Sequence, residues 1–228
     1  MLKKSLCRPA SGVLLLMILW CTAIGQPSGV VKVKHTYFTS YFSKTAHIPV
    51  LVTYWLKSSM FDCASPLDRP DNYGPDPDLS EYTQLKDDYP NTGYDQGHNM
   101  SAEDNSCDED GMNQCFYYTN MTPQPHHFNA GVWKSLEKQE QEAAKAGTRM
   151  FIYVGSLGKA KTIGDNRVVV PKFMWKLIYY PAAHRYEAYM FPNTTETEQP
   201  YAQYLIKVAK LQQRVGMKFN GQLFKWVN

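Results

Sequence analysis

Between Tyr94 and Glu137 the chain concentrates residue types suited to hydrolytic chemistry. Tyr94-Asp95-Gln96-Gly97-His98 ends an aromatic-led segment on an imidazole, a side chain that titrates near neutrality and can take a proton from water. An acidic loop follows. Then come Thr119-Asn120-Met121-Thr122-Pro123-Gln124 and Asn129-Ala130-Gly131-Val132-Trp133-Lys134-Ser135-Leu136-Glu137. A helix opening near Asn129 puts that amide in its first turn and Glu137 about two turns on, on roughly the same face. The pattern brings a candidate base, a candidate oxygen ligand and a carboxylate toward one point. Taken alone, Asn129 also suits a helix N-cap, and Glu137 suits a solvated helix position. His126 and His127 are adjacent, point in different directions and lack further ligands, so a zinc site is not expected.

The three blocks resemble the DNA/RNA non-specific endonuclease family with a ββα-metal site, a family that includes secreted bacterial nucleases and mitochondrial endonuclease G. Its signature is Asp-Arg-Gly-His, then Ser/Thr-Asn-x-x-Pro-Gln, then Asn-x-x-x-Trp-x-x-Leu-Glu. The resemblance implies an endonuclease that hydrolyses phosphodiester bonds of DNA and RNA with little sequence preference. It implies His98 as general base, with Asn120 holding the other ring nitrogen. It implies Asn129 as the sole direct protein ligand of Mg²⁺, with Mn²⁺ as a substitute, and Glu137 holding a metal-bound water. Such a hard cation prefers oxygen and keeps several waters. Arg69 lies in a segment resembling the Asp-Pro-containing stretch before the family's catalytic strand and is expected to contact phosphate. Gln124 and Lys176, the latter after a Val-Pro then Trp-Lys match, are expected to contact substrate.

Gln96 departs from the pattern. The resemblance implies an arginine there that contacts the substrate phosphate; a neutral carboxamide cannot form that bidentate charged fork, but Gln96 can still bind substrate through one donated hydrogen bond. The substitution opens an alternative: a nucleic-acid-binding module of the same fold with weakened or absent catalysis. A phosphodiesterase for smaller esters is a third reading.

These residues need elements to position them. Val30 to Val33 reads as a short edge strand, and Ile48–Leu56 as a strong strand rich in β-branched and aromatic residues. Residues 65–90 are punctuated by prolines and read as a long loop. Ser101 to Asp110 reads as an acidic loop, Gln114 to Thr119 as a strand, and Asn120 to His127 as a connection with no helix. Asn129 to Ala146 reads as a helix stopped by Gly147. Met150 to Gly155, Val168 to Pro171, Phe173 to Tyr180 and Tyr186 to Phe191 read as strands, and Pro200 to Val215 as an amphipathic helix ended by Gly216. His35 and His47 read as surface or strand-end residues. The sum is an α+β fold: a mixed or antiparallel sheet core, flanking helices and one domain over residues 26–228.

Residues 1–25 read as a signal peptide. Lys3, Lys4 and Arg8 precede an apolar run from Gly12 to Trp20 that is short for a bilayer span, and Ala23-Ile24-Gly25 offers a cleavage site. The expected location is secreted or periplasmic, with no stable membrane association after cleavage. The chain's formal charge of +3 equals the charge of those three basic residues, so the exported domain balances to zero and lacks a bulk basic footprint. The distribution is uneven: residues 62–110 are strongly acidic, and the chain from Gly111 onward is basic. Cys63, Cys107 and Cys115 remain after cleavage, allowing one bridge and one thiol in an oxidising compartment.

Overall fold

Apolar strands with few charges build the largest element. The computed structural model describes residues 27–227; the signal-peptide reading of residues 1–25 lies outside them. A seven-stranded sheet takes the order β1 (Val30–Lys34), β2 (Phe38–Ser43), β3 (Ile48–Leu56), β6 (Met150–Leu157), β9 (Phe173–Tyr180), β10 (Arg185–Pro192) and β11 (Leu205–Ile206). Every neighbouring pair in it is antiparallel. The central strands are buried on both faces, which is why they read as almost unbroken apolar runs. Separate two-stranded ladders join β4 (Tyr94–His98) to β5 (Met121–Pro125), β7 (Lys161–Ile163) to β8 (Val168–Val170), and β12 (Met217–Asn220) to β13 (Leu223–Trp226).

The two faces of the sheet carry different layers. On one, Val52, Tyr54, Ile152, Met174, Ile178 and Phe191 pack with Phe128, Trp133 and Leu136 of the helical segment around α3 (Lys134–Lys145). On the other, Leu51, Tyr153, Trp175 and Leu177 meet Leu211 of α4 (Val208–Val215) and Met217 and Phe219 of the last hairpin. The β4–β5 ladder stands beside the first face and passes into α2 (His126–Phe128), a π-type turn over Asn129–Trp133, and α3.

Four expectations change. The strand expected over Gln114 to Thr119 is instead the end of helix α1 (Glu109–Cys115) followed by a tight turn at Tyr118–Asn120. Asp108 caps that helix by accepting the Gly111 N–H at 2.7 Å, and Glu109 and Asp110 in the first turn suit its positive end. The connection expected over Asn120 to His127 holds strand β5, whose two prolines are tolerated because only one of its edges is paired. The long C-terminal helix shortens to Val208–Val215, because Leu205 and Ile206 pair with Tyr189 and Ala188 as an edge strand. His35 is buried rather than at the surface, with Nε2 3.1 Å from Asp76 and 3.2 Å from Thr119.

Cys63 and Cys107 form the disulfide, 44 residues apart, and Cys115 is a buried thiol. The bridge ties the irregular segment carrying Arg69 to the one carrying Glu103, alongside the Leu67 N–H to Ser106 carbonyl bond of 2.7 Å. Cys63→Ser is expected to lower stability by about 2–4 kcal/mol through the loosened unfolded chain. Urea melts of variant and parent under non-reducing conditions check this, and a reductant should make the two converge.

Candidate active site

Strand β4 delivers the imidazole. Its ladder pairs His98 with Met121, Gly97 with Thr122 and Asp95 with Gln124. Gly97 is required by packing: a Cβ there would overlap the Gln124 side chain. The His98 ring sits edge-on against Phe116 at 5.0 Å and Tyr73 at 5.8 Å, and the residue is 8% exposed. Burial, helped by the Arg69 charge, pulls its pKa down to about 3 against the pull of Glu103 and Asp71. The ring is therefore neutral in the free protein.

The helical segment delivers the other two groups. Eight residues of regular α-helix advance about 2.2 turns, which would offset Glu137 from Asn129. The wider turn at Asn129–Trp133, broken at Gly131 (φ −96°, ψ −107°), changes that phase. His98, Asn129 and Glu137 then line one cavity of about 370 Å³, together with Arg69, Asp95 and His126.

Hydrogen bonding orients Asn129. Its Nδ2 donates to Asp95 Oδ2 at 2.9 Å, and an ionised carboxylate can only accept. That contact fixes the amide and leaves Oδ1 as the acceptor available to the cavity. The same Asp95 oxygen is 2.9 Å from His126 Nδ1. Asp95 and His126 carry no role in the sequence reading; Asp95 was legible as the first residue of its motif, whereas His126 gave no signal beyond its neighbour.

Glu137 belongs to a crowded acidic patch. Burial raises its pKa to about 8; Lys176 opposes this, while Asp104, Glu140 and Glu103 add to it. Asp104 is likewise pushed up to about 7, chiefly by burial. Glu137 keeps 12% of its side chain exposed, and its Oε1 has no hydrogen-bond partner. An oriented amide oxygen and a carboxylate are hard oxygen donors of the kind that fit Mg²⁺. Among the described residues no group of three or more His, Cys, Asp or Glu is arranged to hold a metal ion.

The remaining predicted residues divide. Arg69 lines the cavity, with Nε 2.7 Å from Asp71, Nη2 3.0 Å from Tyr73 and its guanidinium 5.2 Å from the Phe116 ring centre. Partial burial works against its charge, but Asp71, Tyr73 and Glu103 outweigh this and hold it protonated. Asn120 does not reach the His98 ring. Its Nδ2 donates to the Met100 and Cys115 carbonyls at 2.9 Å each, and its Oδ1 accepts from Met100 N–H at 2.9 Å. It pins the segment after His98 to the end of α1, a scaffold role set by chain crossing. Gln124 is fully buried behind Gly97 and outside the cavity lining, so it is not placed to contact substrate.

Lys176 is also misplaced as a substrate contact. It is fully buried, 2.7 Å from Glu140, 3.9 Å from Glu137 and 4.7 Å from the Trp133 ring centre. Strand alternation puts it with Met174 and Ile178 on the face covered by α3. Burial opposes its charge, and the two glutamates outweigh that cost. Gln96 lines an adjoining groove rather than the cavity itself.

The raised carboxylates have a sign. Asp104 and Glu137 hold their protons to about pH 7 and 8 when folded, whereas unfolded chains lose them near pH 4. Their stabilising contribution is complete below the unfolded value and is lost as pH rises through the folded values. His98 has the opposite sign, its contribution being lost as pH falls from about 6.5 toward 3. Urea midpoints of the metal-free protein are therefore expected to fall from pH 6.5 to 8, where His98 is silent. A flat profile there would show that these carboxylates ionise normally.

The family model for DNA/RNA non-specific endonuclease matches residues 22–225. The chain belongs to that family. Among relatives of this endonuclease domain, mitochondrial endonuclease G of Homo sapiens is 27% identical over 148 residues, covering 58% of this chain and 50% of the relative. A nuclease of Nostoc sp. is 27% identical over 206 residues, covering 85% of this chain and 74% of the relative. The domain thus spans half the length of the human protein it matches. A solved EndoG/EndoGI complex contains a chain that superposes with a TM-score of 0.74 at 23% identity, covering 84% of this chain and 86% of that one, a likeness of fold.

Proposed function

We propose that this protein is an exported, Mg²⁺-dependent endonuclease that hydrolyses phosphodiester bonds of DNA and RNA. The observation that carries the reading is the convergence of His98, Asn129 and Glu137, from separate sequence blocks, on one cavity. Family membership and the relatives' printed names support the nuclease assignment.

His98 takes a proton from water, its neutral ring shielded by Phe116 and Tyr73. Asn129 Oδ1 would hold the cation directly and Glu137 would act through a water, with Mn²⁺ as a substitute for Mg²⁺. A bound divalent ion supplies charge neutralisation at the phosphoryl group and the leaving oxygen. Arg69, Lys134 and Lys138 line the same cavity and meet the phosphates as cations. Asp95 keeps Asn129 and His126 in place. Export to a secreted or periplasmic location rests on residues 1–25 and on the Cys63–Cys107 bridge, which suits an oxidising compartment. No helix among the described residues is long and apolar enough to cross a membrane.

The test is incubation of the chain from Gln26 with supercoiled plasmid and with long RNA, in Mg²⁺, Mn²⁺ or EDTA. Degradation of both polymers with either metal and none in EDTA is the expected result. A folded protein that cleaves neither polymer in any metal would overturn the reading in favour of the binding module; cleavage of short esters alone would favour the smaller-substrate phosphodiesterase.

A further inference from the structure

Beside the catalytic cavity lies a second, more open groove of about 430 Å³ that shares Asp95 and His126 with it. The residues found only in this groove are Tyr89, Pro90, Asn91, Gly93, Tyr94 and Gln96, none formally charged. The catalytic cavity, by contrast, carries Arg69, Lys134 and Lys138. No lysine or arginine lines this groove, and its shared Asp95 carboxylate disfavours phosphate, which suits it to the uncharged part of a nucleotide. Its volume is of the size that holds a small organic group.

Two side chains give it recognition chemistry. Tyr94 is partly exposed: it packs against the cluster around Ile48, Tyr89 and Tyr118, and the flexible Lys161 side chain, its Nζ 4.7 Å from the ring centre, is the group a stacking base displaces. Aromatic rings at nucleic-acid sites stack bases with little regard to identity. Gln96 adds a donor and an acceptor on one carboxamide, which also faces the Tyr118 hydroxyl. Left-handed backbone at Asn91 (φ 60°) and Gly93 (φ 81°) turns the chain tightly into strand β4, which carries both side chains.

The geometry points to a nucleoside subsite here: the base flanking the scissile phosphate stacks on Tyr94 and is read by Gln96. A glutamine carboxamide matches adenine, whose N6 amino group donates while N7 accepts. Gln96, the residue that departs from the family signature, thus exchanges a phosphate contact for a base contact. The chain acquires a preference for adenine at one position beside the cut. This refines the nuclease reading and rests on it.

A single-stranded DNA library with random positions is digested to low conversion, and the ends are sequenced. Adenine is expected to be enriched about fivefold or more at one fixed position next to the cut, the lower bound for a paired base contact. Gln96→Ala and Gln96→Arg should abolish the enrichment while still degrading the library. Tyr94→Ala should raise KM about tenfold with kcat retained, as for loss of one stacked base. Wild-type cleavage without enrichment at any flanking position, or enrichment that survives in Gln96→Ala, overturns the inference and leaves the nuclease reading standing. Anisotropy with labelled oligo-dA and oligo-dC in EDTA probes the subsite independently of cleavage. A preference of about fivefold for oligo-dA that Gln96→Ala removes supports the subsite, and equal affinities sink it. Thermal midpoints confirm that each variant is folded.

Discussion

His98→Ala is expected to lower kcat on plasmid DNA by about 10²–10⁴-fold, the range contributed by a positioned general base. KM should stay within a few-fold, because the cations Arg69, Lys134 and Lys138 that line the cavity do not depend on the ring. The imidazole is desolvated, with Phe116 and Tyr73 edge-on against it. A base pulled down to about 3 in the free protein is weak. Substrate phosphate entering the same cavity adds negative charge, which raises the proton affinity of the ring toward its working range. His98→Gln fills much of the space without basicity and should lose as much kcat as alanine. Single-turnover cleavage with melts of both variants separates chemistry from stability. Retention of kcat within threefold in both would move the base elsewhere.

Lys176→Met is expected to cost about 3–5 kcal/mol of stability, the usual penalty for removing one partner of a buried ion pair. Glu140 would keep a carboxylate buried without its 2.7 Å cation, and Glu137 and Asp104 would lose the charge that draws their pKa values down. The loss should be larger at pH 8 than at pH 6, since protonation relieves the unpaired acids. Lys176→Met combined with Glu140→Leu should recover most of it, because an apolar pair of similar volume needs no desolvation of charge. Urea melts at both pH values measure all three proteins. A single variant within 1 kcal/mol of the parent at pH 8 would show that the acids are already neutral without the lysine.

Two kinds of residue look alike in the motif. His98 reaches the cavity. Lys176, equally well matched to the family pattern, lies beneath the cavity and holds the acidic patch that includes Glu137. Asn120 and Gln124 resemble Lys176 in this respect: each supports the β4 strand or the segment after it from behind.

Much of the site was written in order along the chain. The Gly-His ending of a strand, the asparagine before a helix and the glutamate eight residues on are local features, and the structure collects all three. The α+β class also followed from strand-like runs and turn residues, because period and propensity act over short distances. What escaped local reading depended on partners far away in sequence. Residues 109–115 form a helix because Asp108 caps it, although the following aromatics favour a strand. Leu205 and Ile206 leave a helical pattern because β10 offers an open edge. Lys176 is inward because strand parity and the position of α3 jointly place it beneath Glu140, a contact spanning 36 residues. Asn129 acquires a defined oxygen only through Asp95 on another element, 34 residues earlier. Side-chain type and spacing determined which groups were capable of the chemistry; burial and long-range pairing decided which of them face the cavity, because those energies arise only when distant segments meet.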